Sequence, residues 1–328
     1  MPIPAIERRA EETPSPSRPQ PPLPVEWGHT YVSIRGANGE GEEIPLTGSQ
    51  GKDWPAIMLL PGAQGLDMPP VELHADASPN LPGSIYRSTR TAQREVLLPV
   101  HLHGVDRSTL KRLKRKLIRT LSPAAGYCVL KFMEADSQPR YLNCYYNGGL
   151  EGDEGEDRAG FRWATFGIQL TAFDPFFYSD QAQVAEWKFG RGEPFLSNVE
   201  VFLPTRLHKG IVSTPNLSVF NAGDVEAWPL WTVEGPVRGF KFSFDGQSFE
   251  APTSSTDVVA AGRTLTIDTR PGYKSLRDDE GRNYWESLGP NPQLWSIPAG
   301  TSRISVEMAP GSGAASLRLS FRPRFESY

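Results

Sequence analysis

Short runs of alternating apolar and polar residues dominate residues 212–328 and determine which class of fold this half of the chain can adopt. A period of two residues is the side-chain spacing of a β-strand with one buried face. Glycine-containing turn signals separate the runs, and no convincing helical pattern lies between them. These features predict an all-β sandwich. The strand candidates are 216–220, 229–234, 237–244, 256–260, 263–269, 293–297, 302–308 and 315–322.

Residues 25–180 also consist mainly of short extended runs. Residues 30–35 and 95–104 alternate, and residues 161–173 continue the alternation over thirteen positions. Pro99 lies in the second of these runs and indicates an edge strand or a bulge, because proline has no N–H to donate to a neighbouring strand. We therefore predict a mainly β fold, with an N-terminal β-barrel or sandwich-like domain that contains one α-helix, followed by the C-terminal sandwich.

The α-helix is predicted over residues 106–121. Asp106 or Ser108 can cap its first turn, and Pro123 ends it. Its apolar stripe at helical spacing comprises Leu110, Leu113, Leu117, Ile118 and Leu121. The other face carries Lys111, Arg112, Lys114, Arg115, Lys116 and Arg119, and no other short segment carries as many charges of one sign.

A second charged segment has the opposite sign. Glu151, Asp153, Glu154, Glu156 and Asp157 place five carboxylates within seven positions, with glycines between them. This composition predicts a mobile acidic loop. For the cationic helix we rank contact with a neighbouring subunit first, a solvated face second and contact with nucleic acid third.

The two cysteines fall in a predicted hairpin formed by residues 127–132 and 141–146. If the turn centres on Asp136, Cys128 lies opposite Cys144, and the two thiols come within bonding distance. With only two cysteines no disulfide framework exists, and folding in a reducing cytoplasm favours free, half-buried thiols over a disulfide.

The length of 328 residues allows two domains, each with its own core. We expect a flexible proline-rich arm at 1–24, a first domain at 25–180, a linker at 181–211 and a second domain at 212–328. The arm holds eight prolines and few large apolar residues. It is either a leader without a role or an arm that orders against a neighbouring subunit.

The composition excludes several classes of protein. The chain balances 34 basic against 38 acidic side chains, and its pI of about 5.8 disfavours a protein that coats DNA. No apolar run approaches the roughly 20 residues that a bilayer crossing requires, so we predict no membrane contact.

No constellation of catalytic residues is recognisable in the sequence. Nucleophile elbows, phosphate-binding loops and metal-ligand spacings are all missing, so we predict that the protein is not an enzyme and needs no metal or other cofactor. His101 and His103 share a strand face without a placed third ligand, as surface histidines commonly do. Trp285 and Trp295 are candidates for stacking on a sugar, although aromatic residues in a sandwich more often fill its core.

Four sequence stretches, in order, resemble the distal tail proteins of phages with long flexible tails. The run EVLLPVHLHG at 95–104, followed by the helix, resembles the family's strand-then-helix step. The run FDPFFY at 173–178 resembles its domain-closing signature, and NAGDVEAWP at 221–229 resembles the entry to its second domain. The run AGRTLTIDT at 261–269 is similar to a later strand pair.

The resemblance implies a structural virion protein at the tip of the phage tail, assembled in the host cytoplasm. Such a protein forms a six-membered ring, with a first domain around the channel and a galectin-like second domain outside. Its implied partners are further copies of the chain, the tail tube protein and the tail-tip hub protein, while DNA passes through without sequence-specific binding. The basic helix and the acidic loop would then be contacts between subunits or with the tube.

The competing interpretation is a lectin-like module that binds sugars of the host cell wall. The evidence for it is the predicted sandwich with its tryptophans, and it does not require the chain to assemble. An enzyme ranks third.

Overall fold

The computed structural model describes residues 30–47, 56–80, 82–134, 137–151, 162–189, 212–311 and 313–328. In chain order the strands are β1 (Tyr31–Arg35), β2 (Ile44–Pro45), β3 (Ala56–Leu59), β4 (Val71–Ala77), β5 (Ser84–Thr91), β6 (Arg94–His103), β7 (Cys128–Met133), β8 (Arg140–Gly148), β9 (Trp163–Ala172), β10 (Phe177–Ser179), β11 (Gln183–Phe189), β12 (Val212–Asn221), β13 (Leu230–Glu234), β14 (Val237–Phe244), β15 (Gln247–Ala251), β16 (Thr264–Asp268), β17 (Ser275–Asp278), β18 (Gly300–Pro310), β19 (Ala315–Phe321) and β20 (Arg324–Phe325). Helix α1 spans Arg107–Leu121. The prediction of a mainly β fold is confirmed.

The first sheet is a nearly closed barrel. Its strands follow the order β2-β1-β7-β8-β9-β6-β3, and β10 extends it by pairing with β8 and β20. The two ends of the curved sheet meet where the Leu59 amide donates to the Leu46 carbonyl at 2.7 Å. Alternating side chains of these strands, such as Leu98, Leu130 and Leu142, fill the interior and are fully buried.

Helix α1 packs its apolar stripe into the core of the barrel. Of the two predicted cap candidates the structure selects Asp106, whose carboxylate accepts a hydrogen bond of 2.7 Å from the Thr109 amide. Leu110, Leu117 and Leu121 are buried, whereas Ile118 is 52% exposed. The inclusion of Ile118 in the stripe was therefore wrong, because one position beyond Leu117 rotates its side chain about 100° away from the core.

The hairpin of β7 and β8 has the predicted register. Cys128 lies directly opposite Cys144, and both are buried free cysteines. The Cys128 thiol donates to the Cys144 carbonyl at 3.2 Å. Asp136, the expected centre of the turn, lies outside the described residues.

The second half forms a sandwich of two antiparallel sheets. One has the order β11-β19-β13-β16-β17 and the other β12-β18-β14-β15. Trp231 of the five-stranded sheet stacks on Phe242 of the four-stranded sheet, with ring centroids 4.4 Å apart. These rings anchor one apolar core that both sheets share. Whether the sandwich is galectin-like remains a prediction.

Several strands differ from the sequence prediction. Residues 256–260 and 293–297 contribute isolated bridges, at Val259 and Ile297, instead of strands. Strands β15 and β17, which are short edge strands, were not predicted. Pro99 was expected at an edge or a bulge, but β6 has β9 on one side and β3 on the other. The Pro99 carbonyl accepts from the Leu60 amide on the β3 side, so the Pro99 nitrogen faces that side too. Because β3 ends at this point, the missing N–H of the proline costs no hydrogen bond within a strand pair.

The chain passes from the barrel to the sandwich before β11 and returns to the barrel after β19. Strand β11, inside the range expected to be a linker, forms an edge of the five-stranded sheet by pairing with β19. Strand β20, near the C-terminus, returns to the first sheet and pairs with β10. The rest of the expected linker, 190–211, and the proline-rich arm at 1–24 lie outside the described residues, and the domain boundaries remain a prediction.

Candidate interaction surfaces

An open groove of about 590 Å³ runs along the solvent side of α1. The first wall is one face of the helix, from Ser108 to Thr120, and the second is the turn that follows β1. Gly36 lets this turn approach closely, because a Cβ at this position would lie 2.2 Å from the Thr120 carbonyl oxygen. We refer to this feature as the basic groove.

The basic groove has an excess of positive charge. Arg112, Arg115, Lys116 and Arg119 line it, against one carboxylate, Glu42. That carboxylate accepts from the Lys116 ammonium at 2.6 Å. Within the described residues the three arginines have no carboxylate at salt-bridge distance. The groove thus presents three guanidinium groups that form no salt bridge with a described carboxylate.

The six cations that were predicted to share one helix face do not all lie in the basic groove. Lys111 is exposed outside the groove lining. Lys114 lies on the opposite flank of the helix, with its ammonium 5.4 Å from the centre of the Phe166 ring of β9. The remaining four line the groove.

The acidic segment lies largely outside the described residues, as do Asp153, Glu154, Glu156 and Asp157. Its first carboxylate, Glu151, is exposed and accepts from the Gly149 amide at 2.9 Å. The first described residue after the segment is Arg162, whose carbonyl accepts from the Gly104 amide at 2.7 Å beside the start of α1.

A hairpin of β4 and β5 stands apart from both cores. Every residue of the two strands is exposed, and among the described strands they pair only with each other. Leu73 and Tyr86 are 71% and 61% exposed. At its base the Ala92 amide donates to the Pro70 carbonyl at 2.8 Å. An isolated two-stranded hairpin is marginally stable in water, so its exposed apolar residues make it a candidate contact surface.

Sequence reasoning missed this surface. The pairing of β4 with β5 was not predicted. The signal was present in the turn residues between the strands, since Pro79, Asn80, Pro82 and Gly83 are all typical of turns. Leu73 and Ala75 also alternate with polar neighbours on the side before that turn.

The two candidate stacking tryptophans have different environments. Trp295 is 2% exposed and packs edge to face on Trp231, while its indole N–H donates to the Phe242 carbonyl at 3.4 Å. The expectation for Trp295 is corrected, because its ring has no open face for a sugar. Trp285 is 40% exposed and keeps an accessible ring.

His101 and His103 lie side by side on the outer surface of the barrel. Their ring centroids are 6.2 Å apart, and His101 stacks on Trp163 at 5.8 Å. Burial and the neighbouring His103 both lower the pKa of His101. The described part of the chain holds no group of three or more His, Cys, Asp or Glu side chains that could bind a metal ion.

Within the same described residues, α1 is neither long enough nor apolar enough to span a bilayer, and no other helix is either.

Comparison with known proteins gives a structural likeness without a sequence relative. No family model and no curated protein matches the chain. The Dit protein of phage SPP1, described as a paradigm of the hub adsorption apparatus of phages that infect Gram-positive bacteria, superposes with a TM-score of 0.57 at 11% identity. The match covers 89% of this chain and 98% of that one.

A chain of the phage p2 baseplate in its Sr-activated conformation is also similar, with a TM-score of 0.50 at 10% identity. This match covers 92% of the present chain and all of the p2 chain. The chain has the fold of the SPP1 Dit protein. The resemblance to distal tail proteins is therefore confirmed at the level of the fold.

Proposed function

We propose that the protein is a structural hub subunit at the distal end of a phage tail, where it joins the tail tube to the tail tip. The observation that carries this proposal is the fold shared with SPP1 Dit over 98% of that protein's length. A likeness of this extent includes both the barrel and the sandwich. The match therefore covers the whole architecture and is not limited to a single β domain of a common type. The protein would act through shape and contacts, without catalysis.

We further propose that six copies form a ring, located in the virion and assembled in the host cytoplasm. A ring of identical subunits needs two different surfaces per copy that fit each other head to tail. The exposed hairpin of β4 and β5 supplies one surface with apolar contact area. The tail tube protein and the tail-tip hub protein would bind the two faces of the ring, and DNA would pass through its channel without sequence-specific contacts.

Native mass spectrometry of the full chain tests the ring. Six copies of the 36.3 kDa chain give a mass of about 218 kDa. Negative-stain micrographs of the same sample should show particles with a central hole. A protein that stays monomeric at every concentration, and that forms no annular particles, would overturn the proposal.

A lectin-like role for the sandwich is the second candidate, and the exposed ring of Trp285 is the observation that favours it. Binding of the protein to a glycan array, with loss of the signal in Trp285→Ala, would support this role. It is compatible with the hub, because an outer domain of a ring remains free to contact the host surface.

A further inference from the structure

We infer that the basic groove on α1 binds the acidic segment 151–157 of a second copy of this chain. The inference deepens the proposed function and rests on it, since it names one of the contacts that would join hub subunits.

The groove suits an anionic partner of extended shape. Arg112, Arg115 and Arg119 follow each other at intervals of three and four residues, which places them on one helix face over about 10 Å. Guanidinium groups pair with carboxylates in a bidentate geometry and do so more strongly than neutral donors. The groove is open along its length, so a segment of chain fits better than a compact ligand.

The acidic segment matches this requirement in charge and length. Residues 153–157 carry four of its five carboxylates. An extended stretch of this length spans about 13 Å, which is close to the length of the arginine row. The pairing would compensate three cations that have no carboxylate at salt-bridge distance among the described residues.

The position of the segment within its own chain favours a partner copy. Residues 151 and 162 bound the undescribed part, and the second of them joins β9. Strand β9 contacts the helix on the flank of Lys114, through Phe166. The groove opens on the other side, toward Glu42. The described chain on the C-terminal side of the segment therefore lies on the flank of the helix opposite the groove, which favours the groove of a second copy over that of the same chain.

A peptide of residues 149–159 provides a test that does not depend on ring formation. Labelled with a fluorophore, it should bind the full chain, and its affinity should fall at least tenfold in Arg112→Gln/Arg115→Gln/Arg119→Gln and as salt is raised. A matched control is Lys188→Gln/Arg303→Gln/Arg318→Gln, which removes three exposed cations from the sandwich and should bind the peptide normally. If the peptide fails to bind the wild-type chain, the inference falls, whatever native mass spectrometry shows of the ring.

Charge reversal then tests the contact between copies. Reversal of the three arginines to Glu, or of the four carboxylates at 153–157 to Lys, should each weaken self-association at least tenfold in sedimentation velocity. A chain with both reversals should regain association to within about threefold of wild type, because the attraction is restored with opposite signs. Lack of recovery would refute the inference, and unfolding midpoints measured in parallel show whether each variant is folded.

Two other occupants have distinct signatures, and either would overturn the inference. If the segment binds the groove of its own chain, the single reversals will shift the unfolding midpoint while self-association stays at the wild-type level. If the groove serves nucleic acid, a labelled DNA duplex will bind the wild-type chain and not the arginine variant, and self-association will again be unchanged.

Discussion

The buried guanidinium of Arg94 donates a hydrogen bond of 2.6 Å to the carbonyl oxygen of Glu326, 232 residues further along the chain. Arg94 has no exposed surface and makes further bonds to the carbonyls of Gly65, Asp67 and Pro175. Burial lowers its pKa. The arginine thus joins the start of β6, two loops and the returning C-terminus through backbone oxygens.

Arg94→Met should lower the free energy of unfolding by about 3 kcal/mol, because it leaves the buried Pro175 carbonyl and three partly buried carbonyls without this donor. Urea unfolding at fixed pH measures this loss. Arg90→Met is the matched control, since that exposed arginine forms a surface ion pair with Glu72 on the hairpin and should change stability by less than about 0.5 kcal/mol. Equal stabilities of the two variants would show that Arg94 does not hold the C-terminus.

The cysteines should be inert in the folded protein. Burial raises the pKa of the Cys128 thiol to about 12 and also raises that of Cys144. Because the thiolate is the reactive form, iodoacetamide at pH 8 should modify neither residue in the native state and both in urea. Modification of either thiol without denaturant would contradict their burial.

The same pKa shift predicts how stability depends on pH. Between the ordinary thiol pKa of 9.0 and about 12, the unfolded chain loses the Cys128 proton while the folded chain keeps it. The folded state then binds more protons, so the free energy of unfolding must fall as pH rises through this range. Cys128→Ala should show a smaller decline than wild type in unfolding experiments from pH 8 to 11.

Local pattern was sufficient for some features of the fold. The cap depends on spacing within a few residues, and Asp106 is one of the two predicted candidates. The register of Cys128 against Cys144 depends on spacing within one hairpin, and it was predicted. Alternation likewise identified β6 and β9, because each has one face in the barrel core.

Other features depend on contacts that no local pattern encodes. Neither Trp285 nor Trp295 lies in a strand, so period two does not indicate which ring faces inward, and Trp295 is placed by residues distant in sequence. Strand β4 escaped prediction because neither of its faces is buried. The groove on α1 was invisible for a similar reason, since the turn at Gly36 that forms its second wall is more than seventy residues before the helix.

Substitution of the two tryptophans separates a core role from a surface role. Trp295→Ala should destabilise the sandwich by about 3–5 kcal/mol, since it removes a buried ring from the shared core. Trp285→Ala should cost less than about 1 kcal/mol because the ring is partly exposed. Chemical unfolding followed by circular dichroism distinguishes the two. A glycan-array signal lost in Trp285→Ala at unchanged stability would assign the lectin-like role to this ring.

The exposed hairpin gives the sharpest test of assembly. Leu73→Ser/Tyr86→Ser should leave the unfolding free energy within about 0.5 kcal/mol of wild type, because both side chains already face solvent. Burying a large apolar side chain contributes about 1.5–3 kcal/mol, so the loss of two at a contact between copies should raise the dissociation constant of the ring about a hundredfold or more.

Sedimentation velocity over a range of concentrations measures this change. Tyr273→Ser is the matched control, since Tyr273 is 70% exposed on the sandwich, as open to solvent as Leu73, and lies outside the hairpin. It should assemble as the wild type does. If the hairpin variant also assembles normally, the hairpin is not a contact between copies, and the ring must close through other surfaces.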